Sequence, residues 1–271
     1  MDEFKLKYKL ILKVEDFFSL YNTLFCGQCF RWQQNKDKFS SIIKGKYVEA
    51  LIKENLLYIY SNMPLDKNEW IHYFSLNLNY QKLHEEFCKD DTLKKCVESA
   101  KGIRVLNQEF FETLISFIIS QNNNIPRISS IINTFCQKFG KKVYENYYSF
   151  PTIEDLKEVT LDDLAILKAG FRAKYILDAI KKVSNGDVTE SKLKKLNTDE
   201  ARKLLMTIKG VGPKVSDCVL LFSLNRTEVL PKDVWIKKAL EELFPNGLPK
   251  CCTGYEGIAQ QYIFDYVRKN S

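Results

Sequence analysis

Residues 207–218 read TIKGVGPKVSDC, a glycine-punctuated turn between two apolar runs. Leu204, Leu205 and Ile208 precede Gly210-Val211-Gly212, and Val215, Val219 and Leu220 follow it. That spacing predicts two short helices flanking a turn in which the glycines take backbone angles closed to other residues. Pro213 fits the first position of the second helix, where its missing N–H is not needed, and the helix start then offers free backbone N–H groups, a seat for phosphate. A glycine link can also serve helix packing alone, so the neighbouring residues decide between the two uses.

Lys214 opens the second helix and Cys218 follows four residues later, so both side chains share one face. The macrodipole disfavours lysine at a helix start, and its presence there suggests a task. An amine that attacks carbon must be uncharged, a state that a helix start, burial or a neighbouring cation favours, and Lys214 is the candidate nucleophile. Its simpler role would be a contact to phosphate. In VLPKDVWIKKAL at 229–240, Pro231 breaks the preceding run and Asp233 takes the cap position ahead of a helix beginning near Val234. A carboxylate so placed can cap the helix and also act as a base or stabilise a developing positive charge.

Nearer the start, FKLKYKLIL at 4–12 alternates apolar Phe4, Leu6, Tyr8 and Leu10 with lysines, the period of a half-buried strand. Phe39–Ile43, Tyr47–Ile52 and Leu56–Tyr60 are β-prone runs divided by Lys44-Gly45 and Glu54-Asn55, which predicts a meander of antiparallel hairpins. From about residue 66 helical patterns take over. Phe110, Phe111, Leu114, Ile115, Ile118 and Ile119 form one apolar stripe. Helices over Ile128–Phe139, Leu161–Leu167, Lys174–Val183 and Asp199–Ile208 each close on a glycine, at Gly140, Gly170, Gly186 and Gly210. The expectation is an α+β chain: an N-terminal antiparallel β-sheet domain with helices over 1–100, then a larger all-α domain over 101–271 that contains the helix-hairpin-helix.

The chain has 271 residues, 45% of them apolar, enough for one large or two modest cores. Its 41 Lys and Arg against 34 Asp and Glu leave a net charge of +7, compatible with a polyanionic partner and equally with an ordinary basic surface. Of eight cysteines only Cys26 and Cys29 have C-x-x-C spacing, and no second pair stands at ligand distance, which argues against a zinc or iron–sulfur site. No apolar run approaches about twenty residues and no secretory leader pattern is evident. An intracellular protein with reduced thiols is expected, cytoplasmic and nucleoid-associated if the chain is prokaryotic, without membrane contact.

The segment from Thr207 to Asp233 resembles the helix-hairpin-helix and following Gly/Pro-Asp loop of the DNA glycosylase superfamily, in its 8-oxoguanine DNA glycosylase branch. CGQCFRW at 26–32, ISFIISQNNNIPRI at 115–128, AGFRAKY at 169–175 and AQQYIF at 259–264 are similar to motifs of that family, in its order and at similar separations. The resemblance implies a bifunctional base-excision-repair glycosylase and lyase. Its partner would be double-stranded DNA containing 8-oxoguanine, which it would meet as a monomer. The four-cysteine cluster of the endonuclease III relatives is missing, so no iron–sulfur cofactor is implied; an ion held by hairpin carbonyls in the DNA complex is.

Such an enzyme must take its base out of the stack, fill the gap, hold the widowed partner and read the extruded base in a pocket. By resemblance, Lys214 attacks the sugar C1′ while Asp233 stabilises oxocarbenium-like charge, and the resulting imine permits strand cleavage. Asn122, Arg127 and Arg172 match the residues that read the widowed cytosine. Phe171 stands where relatives carry a wedging tyrosine, keeping the apolar insertion without the hydroxyl. Gly27 matches the residue whose carbonyl accepts from the N–H that 8-oxoguanine carries at N7. Gln260 would read the base edge, Phe264 would stack on its plane, and Cys218 would close the other side, as a thiolate paired with Lys214 in one version. Gly210, Val211 and Gly212 would hold phosphate, with Trp235, where many members have histidine, near the 5′ phosphate.

Plainer readings exist for several of these residues. Asn122–Asn124 could be a polar turn that caps helices, and Gln260 and Phe264 the core face of an amphipathic helix. The chain could also be a glycosylase of the same superfamily for another damaged base, or a non-catalytic DNA-binding hairpin module. An alkylpurine glycosylase normally has no lysine at position 214, and a phosphate-binding module has no need of Lys214 together with Asp233.

Overall fold

Short β-branched and aromatic runs separated by tight turns build the first part of the chain. In the computed structural model, which describes residues 6–15 and 17–270, β1 (Tyr8–Lys13), β2 (Gln33–Asn35), β3 (Lys38–Ile43), β4 (Lys46–Lys53) and β5 (Leu56–Ser61) form an antiparallel sheet in the order β1-β5-β4-β3-β2. The β3–β4 and β4–β5 turns use Lys44-Gly45 and Glu54-Asn55, with φ of 48°, 72°, 52° and 60°. Paired left-handed residues make the hairpin turn whose twist matches its strands. Phe4 and Lys5, the start of the strand expected at 4–12, lie outside the described residues; β1 itself pairs with β5, Tyr8 opposite Ser61 and Lys13 opposite Leu56. The exposed β2, QQN, has no apolar alternation to announce it.

The inner face of the sheet, with Leu12, Phe39, Val48, Ala50, Leu57 and Ile59, packs against Leu20 and Leu24 of α1 (Leu20–Phe25) and against Trp70 and Tyr73 of α2 (Lys67–Tyr73). A second, larger core lies among the helices: α3 (Tyr80–Phe87), α4 (Asp91–Ser99), α5 (Phe110–Ser120), α6 (Ile125–Phe139), α7 (Arg172–Ser184), α8 (Glu190–Lys195), α9 (Thr198–Leu205), α10 (Pro213–Leu224), α11 (Val234–Leu243) and α12 (Glu256–Lys269). Its axis is α10, where every residue from Val215 to Ser223 is buried.

The cores do not divide at residue 100. Tyr80, Phe87, Leu93, Cys96 and Val97 belong to the larger one, as do Cys26 and Phe30, while Leu106 belongs to the smaller. Arg104, 1% exposed, bridges them: its guanidinium stacks on Tyr80 at 4.3 Å and Phe18 at 5.1 Å, donates to Ser75 O at 2.9 Å and pairs with Glu15.

Local differences from the sequence expectations have physical causes. A small hairpin, β6 (Lys142–Tyr144) and β7 (Tyr147–Tyr148), interrupts the helical region and docks on the sheet, where Tyr144 stacks on Tyr47 at 4.3 Å. The helix expected over 161–167 is a 3₁₀ turn at Asp163–Leu167 whose left-handed end is Lys168, with φ of 49°. Gly140 ends α6 with φ of −86°, so a left-handed angle is not its reason; a Cβ there would lie 2.0 Å from Ser149 O. Among the described residues no helix is long and apolar enough to cross a membrane, and no three His, Cys, Asp or Glu converge as metal ligands.

Candidate active site

The turn between α9 and α10 bends at Gly210, whose φ is 78° and which approaches Tyr175 of α7 so closely that a Cβ would fall 2.2 Å from the ring. Gly212 departs from expectation: its φ of −101° is open to any residue, and nothing lies within 4 Å of where its Cβ would be. As the N-cap of α10 it has no side chain with which to bond the first-turn N–H groups. The helix start therefore stays uncapped from within the chain.

From that first turn Lys214 leans toward α5. Its Nζ lies 4.9 Å from the centroid of Phe117 and 3.4 Å from Ser120 Oγ. Phe117 stacks on Phe222 of α10 with centroids 5.3 Å apart and planes 14° apart. Asp233 caps α11 through Oδ1, which accepts from Ile236 N at 2.8 Å, so one carboxylate oxygen is not used by the cap. Lys214, Cys218, Asp233, Phe117, Phe222 and Pro231 line one side of a cavity of about 300 Å³; Cys26, Gly27 and the α12 residues Gln260, Gln261 and Phe264 line the other.

Cys218 is 3% exposed, and burial pushes its thiol up to about 11 against the lowering pull of Lys214. It is a neutral thiol near pH 7. Burial thus favours the neutral thiol over the thiolate pairing considered from the sequence, because desolvation outweighs the neighbouring amine. Across the cavity Gly27, with φ of 88°, turns the chain so that the Phe264 ring lies 3.5 Å from where a Cβ would stand. The Arg268 guanidinium lies 5.7 Å from the Phe264 centroid. Gln28 pins this turn: its Oε1 accepts from Leu106 N at 2.8 Å and its Nε2 donates to Arg104 O at 2.7 Å.

The residues expected at a widowed base gather where the α5–α6 turn meets the start of α7. Asn124 Oδ1 accepts from Arg127 N at 3.0 Å and Asn123 Nδ2 donates to Ile119 O at 3.1 Å, so these two serve the helix ends. Asn122 takes part in neither cap: it is exposed and left-handed, with φ of 46°. Arg127 is also exposed, its Nη2 3.4 Å from Lys168 O, and Phe171 is 52% exposed. Arg172 is more enclosed than its two companions. It is 4% exposed, and its guanidinium donates to Gln121 O through Nε at 2.8 Å and through Nη2, to Asn122 O at 2.7 Å and to Ala169 O at 3.1 Å. Rather than facing outward beside Asn122 and Arg127, it holds the turn from beneath, since a planar fork of donors matches converging carbonyls. Trp235, 40% exposed, stands next to Val234, 82% exposed, at the start of α11.

Five cavity residues escaped the sequence reading: Cys26, Phe117, Phe222, Pro231 and Gln261. Most lie inside stretches already singled out, so adjacency was the available signal. Phe222 could have been found by helix arithmetic, because positions 214, 218 and 222 stack along one face.

Residues 9–114 match the N-terminal domain of 8-oxoguanine DNA glycosylases, and residues 115–248 match the HhH-GPD superfamily of base excision DNA repair proteins. The chain is 34% identical over 249 residues to the N-glycosylase/DNA lyase of Saccharomyces cerevisiae, covering 81% of this chain and 66% of that one. It spans 47% to 66% of the length of that protein and two further curated relatives. A Clostridium acetobutylicum 8-oxoguanine glycosylase/lyase, solved with double-stranded DNA containing cytosine opposite 8-oxoG, superposes with a TM-score of 0.89 at 37% identity over 97% of this chain and 96% of that one. MBOgg1, solved with a low-affinity DNA ligand, superposes with a TM-score of 0.90 at 38% identity over the same shares.

Proposed function

Because the chain belongs to the HhH-GPD superfamily of base excision DNA repair proteins, with an 8-oxoguanine DNA glycosylase N-terminal domain ahead of it, we propose that it removes 8-oxoguanine opposite cytosine from duplex DNA and then cleaves the strand as a lyase. One observation carries this reading: an amine, a carboxylate, a stacking ring, a neutral thiol and a carboxamide, from distant stretches of chain, line a single cavity. Because one chain supplies all of its walls, the protein would act as a monomer. Its substrate would place it with the DNA inside the cell.

In this mechanism the extruded base enters between Phe264 and Cys218, with the Gly27 carbonyl accepting from the N7 hydrogen and Gln260 facing the base edge. A neutral thiol suits the face of an uncharged base better than a thiolate would. The Lys214 amine, losing a proton, bonds to C1′ as the bond from C1′ to N9 breaks; the electron pair leaves with the base, which takes up a proton. Asp233 stabilises the positive charge that develops on the sugar. Ring opening gives an imine between Lys214 and C1′. Loss of a C2′ proton then expels the 3′ phosphate, and water releases the lysine. Outside the cavity, Asn122 and Arg127 read the widowed cytosine, Phe171 fills the gap, and the uncapped start of α10 with Trp235 meets phosphate.

The test is an end-labelled duplex carrying 8-oxoguanine opposite cytosine. Strand scission absent from the undamaged duplex, with a covalent adduct trapped by borohydride, is the expected result. A protein that binds the duplex yet yields neither product is a binding module, and the reading fails.

A further inference from the structure

Along and behind one cavity wall runs a row of buried polar side chains, of which the mechanism above uses only Gln260. Gln28 is oriented by the backbone: Leu106 N donates to its Oε1 at 2.8 Å, while its Nε2 donates to Thr23 O at 2.8 Å and Arg104 O at 2.7 Å. That same Nε2, its two hydrogens directed to those carbonyls, lies 3.3 Å from Cys26 Sγ, a secondary contact in which sulfur faces the donor side of the amide. Burial pushes the Cys26 thiol up to about 12, and the group keeps its one hydrogen, which is shared between Thr23 O at 3.3 Å and Gln261 Oε1 at 3.4 Å. With its oxygen toward the thiol, Gln261 turns its Nε2 to Gln260 Oε1 at 2.7 Å. Gln260 then has its amide NH2 left for the cavity. Gln260 and Gln261 are each 4% exposed, so neither orientation is set by solvent.

We propose that Gln261 is a positioning residue for recognition of the base: aligned by the Cys26 thiol, it holds the Gln260 carboxamide in one orientation before the base arrives. The ligand edge this selects carries a carbonyl oxygen able to accept from the Gln260 NH2. The proposal rests on the function proposed above. A carboxamide free to rotate would present donor or acceptor alike, and a buried amide left without its partner is destabilised, so a preset orientation favours a single edge. Direction runs from backbone to Gln28, to sulfur, to Gln261, to Gln260. Gln261 touches neither the sugar nor the nucleophile in this scheme and acts through its neighbour.

The experiment compares two single-turnover rates in each protein: excision of 8-oxoguanine opposite cytosine, and cleavage of the same duplex with a preformed abasic site, which has no base to read. Gln261→Glu keeps size and, where ionised, offers no donor to Gln260 Oε1, and Gln261→Leu removes both contacts whatever the pH. Each is expected to lower the ratio of excision to abasic cleavage by about ten-fold or more, the worth of one buried hydrogen bond in the transition state. Cys26→Ala should lower that ratio too, and Cys26→Ser, which keeps a donor, should recover part of the loss. A ratio unchanged in Gln261→Glu and Gln261→Leu overturns the positioning role, as does a parallel fall of both rates that leaves the ratio constant. A wild-type protein inactive on both duplexes overturns the proposed function itself.

Discussion

The cavity and the rim hold polar side chains ready in opposite ways. Inside, Gln260 is bonded to Gln261, which is bonded to Cys26, and each is nearly sealed from water. Outside, Asn122 and Arg127 stand exposed, and what is defined is the backbone that carries them: a left-handed Asn122 whose carbonyl is held by the buried Arg172. The difference follows from solvent. A polar group away from water must have a partner or incur a desolvation cost, so the same partner that satisfies it also orients it. A group at the surface is satisfied by water in many orientations, and only its point of attachment is controlled.

The largest effect should come from the cavity. Lys214→Gln removes the amine at similar length and is expected to reduce excision at least about a thousand-fold and to abolish the borohydride-trapped adduct, while duplex binding through the rim persists. Excision that survives this change would separate the cavity from the chemistry. Asp233→Asn retains an acceptor for Ile236 N, so the cap and the melting midpoint should hold while excision falls about a hundred-fold. An unaltered rate would make Asp233 a cap only.

A rim variant tests the other half of the comparison. Arg172→Lys replaces the fork with a single point charge that cannot span the carbonyls of Gln121, Asn122 and Ala169. Duplex affinity, read by fluorescence anisotropy, is expected to weaken about ten-fold, with about 1–2 kcal/mol lost in urea unfolding. Chemistry that declines more than affinity would mean that rim and cavity are one unit. The smallest change is expected for Cys218→Ser. A thiol raised to about 11 stays protonated below that pH, so no thiolate forms near neutrality. Between about pH 6 and 9 the rate profile should keep its shape, with excision reduced less than about ten-fold. A basic limb in wild type that disappears in Cys218→Ser would restore the thiolate.

How legible the site was depended on whether a residue's role is local. The cap by Asp233, the first-turn positions of Pro213 and Lys214, and the shared face of Lys214 and Cys218 are set by helix geometry within a few residues, and the structure has each of them. The left-handed hairpin turns at Lys44-Gly45 and Glu54-Asn55 were local too. The anchoring of Arg172 was not legible because the carbonyls it binds include those of Gln121 and Asn122, some fifty positions away, and no local pattern marks them. Gln261 was passed over for the same reason: its thiol partner is 235 positions distant. The β6–β7 hairpin was missed because its strands are too short for a period to register and its docking partner is the sheet.

By itself the sequence determined the longer strands and helices, where the hairpin turns, and which side chains could do chemistry, because propensity, periodicity and capping act over one or two turns of chain. Only the tertiary structure decided which of those side chains lose their water. Burial made Cys218 a thiol, turned Arg172 inward and aligned Gln260 through Gln261, and burial is a property of segments brought together from opposite ends of the chain.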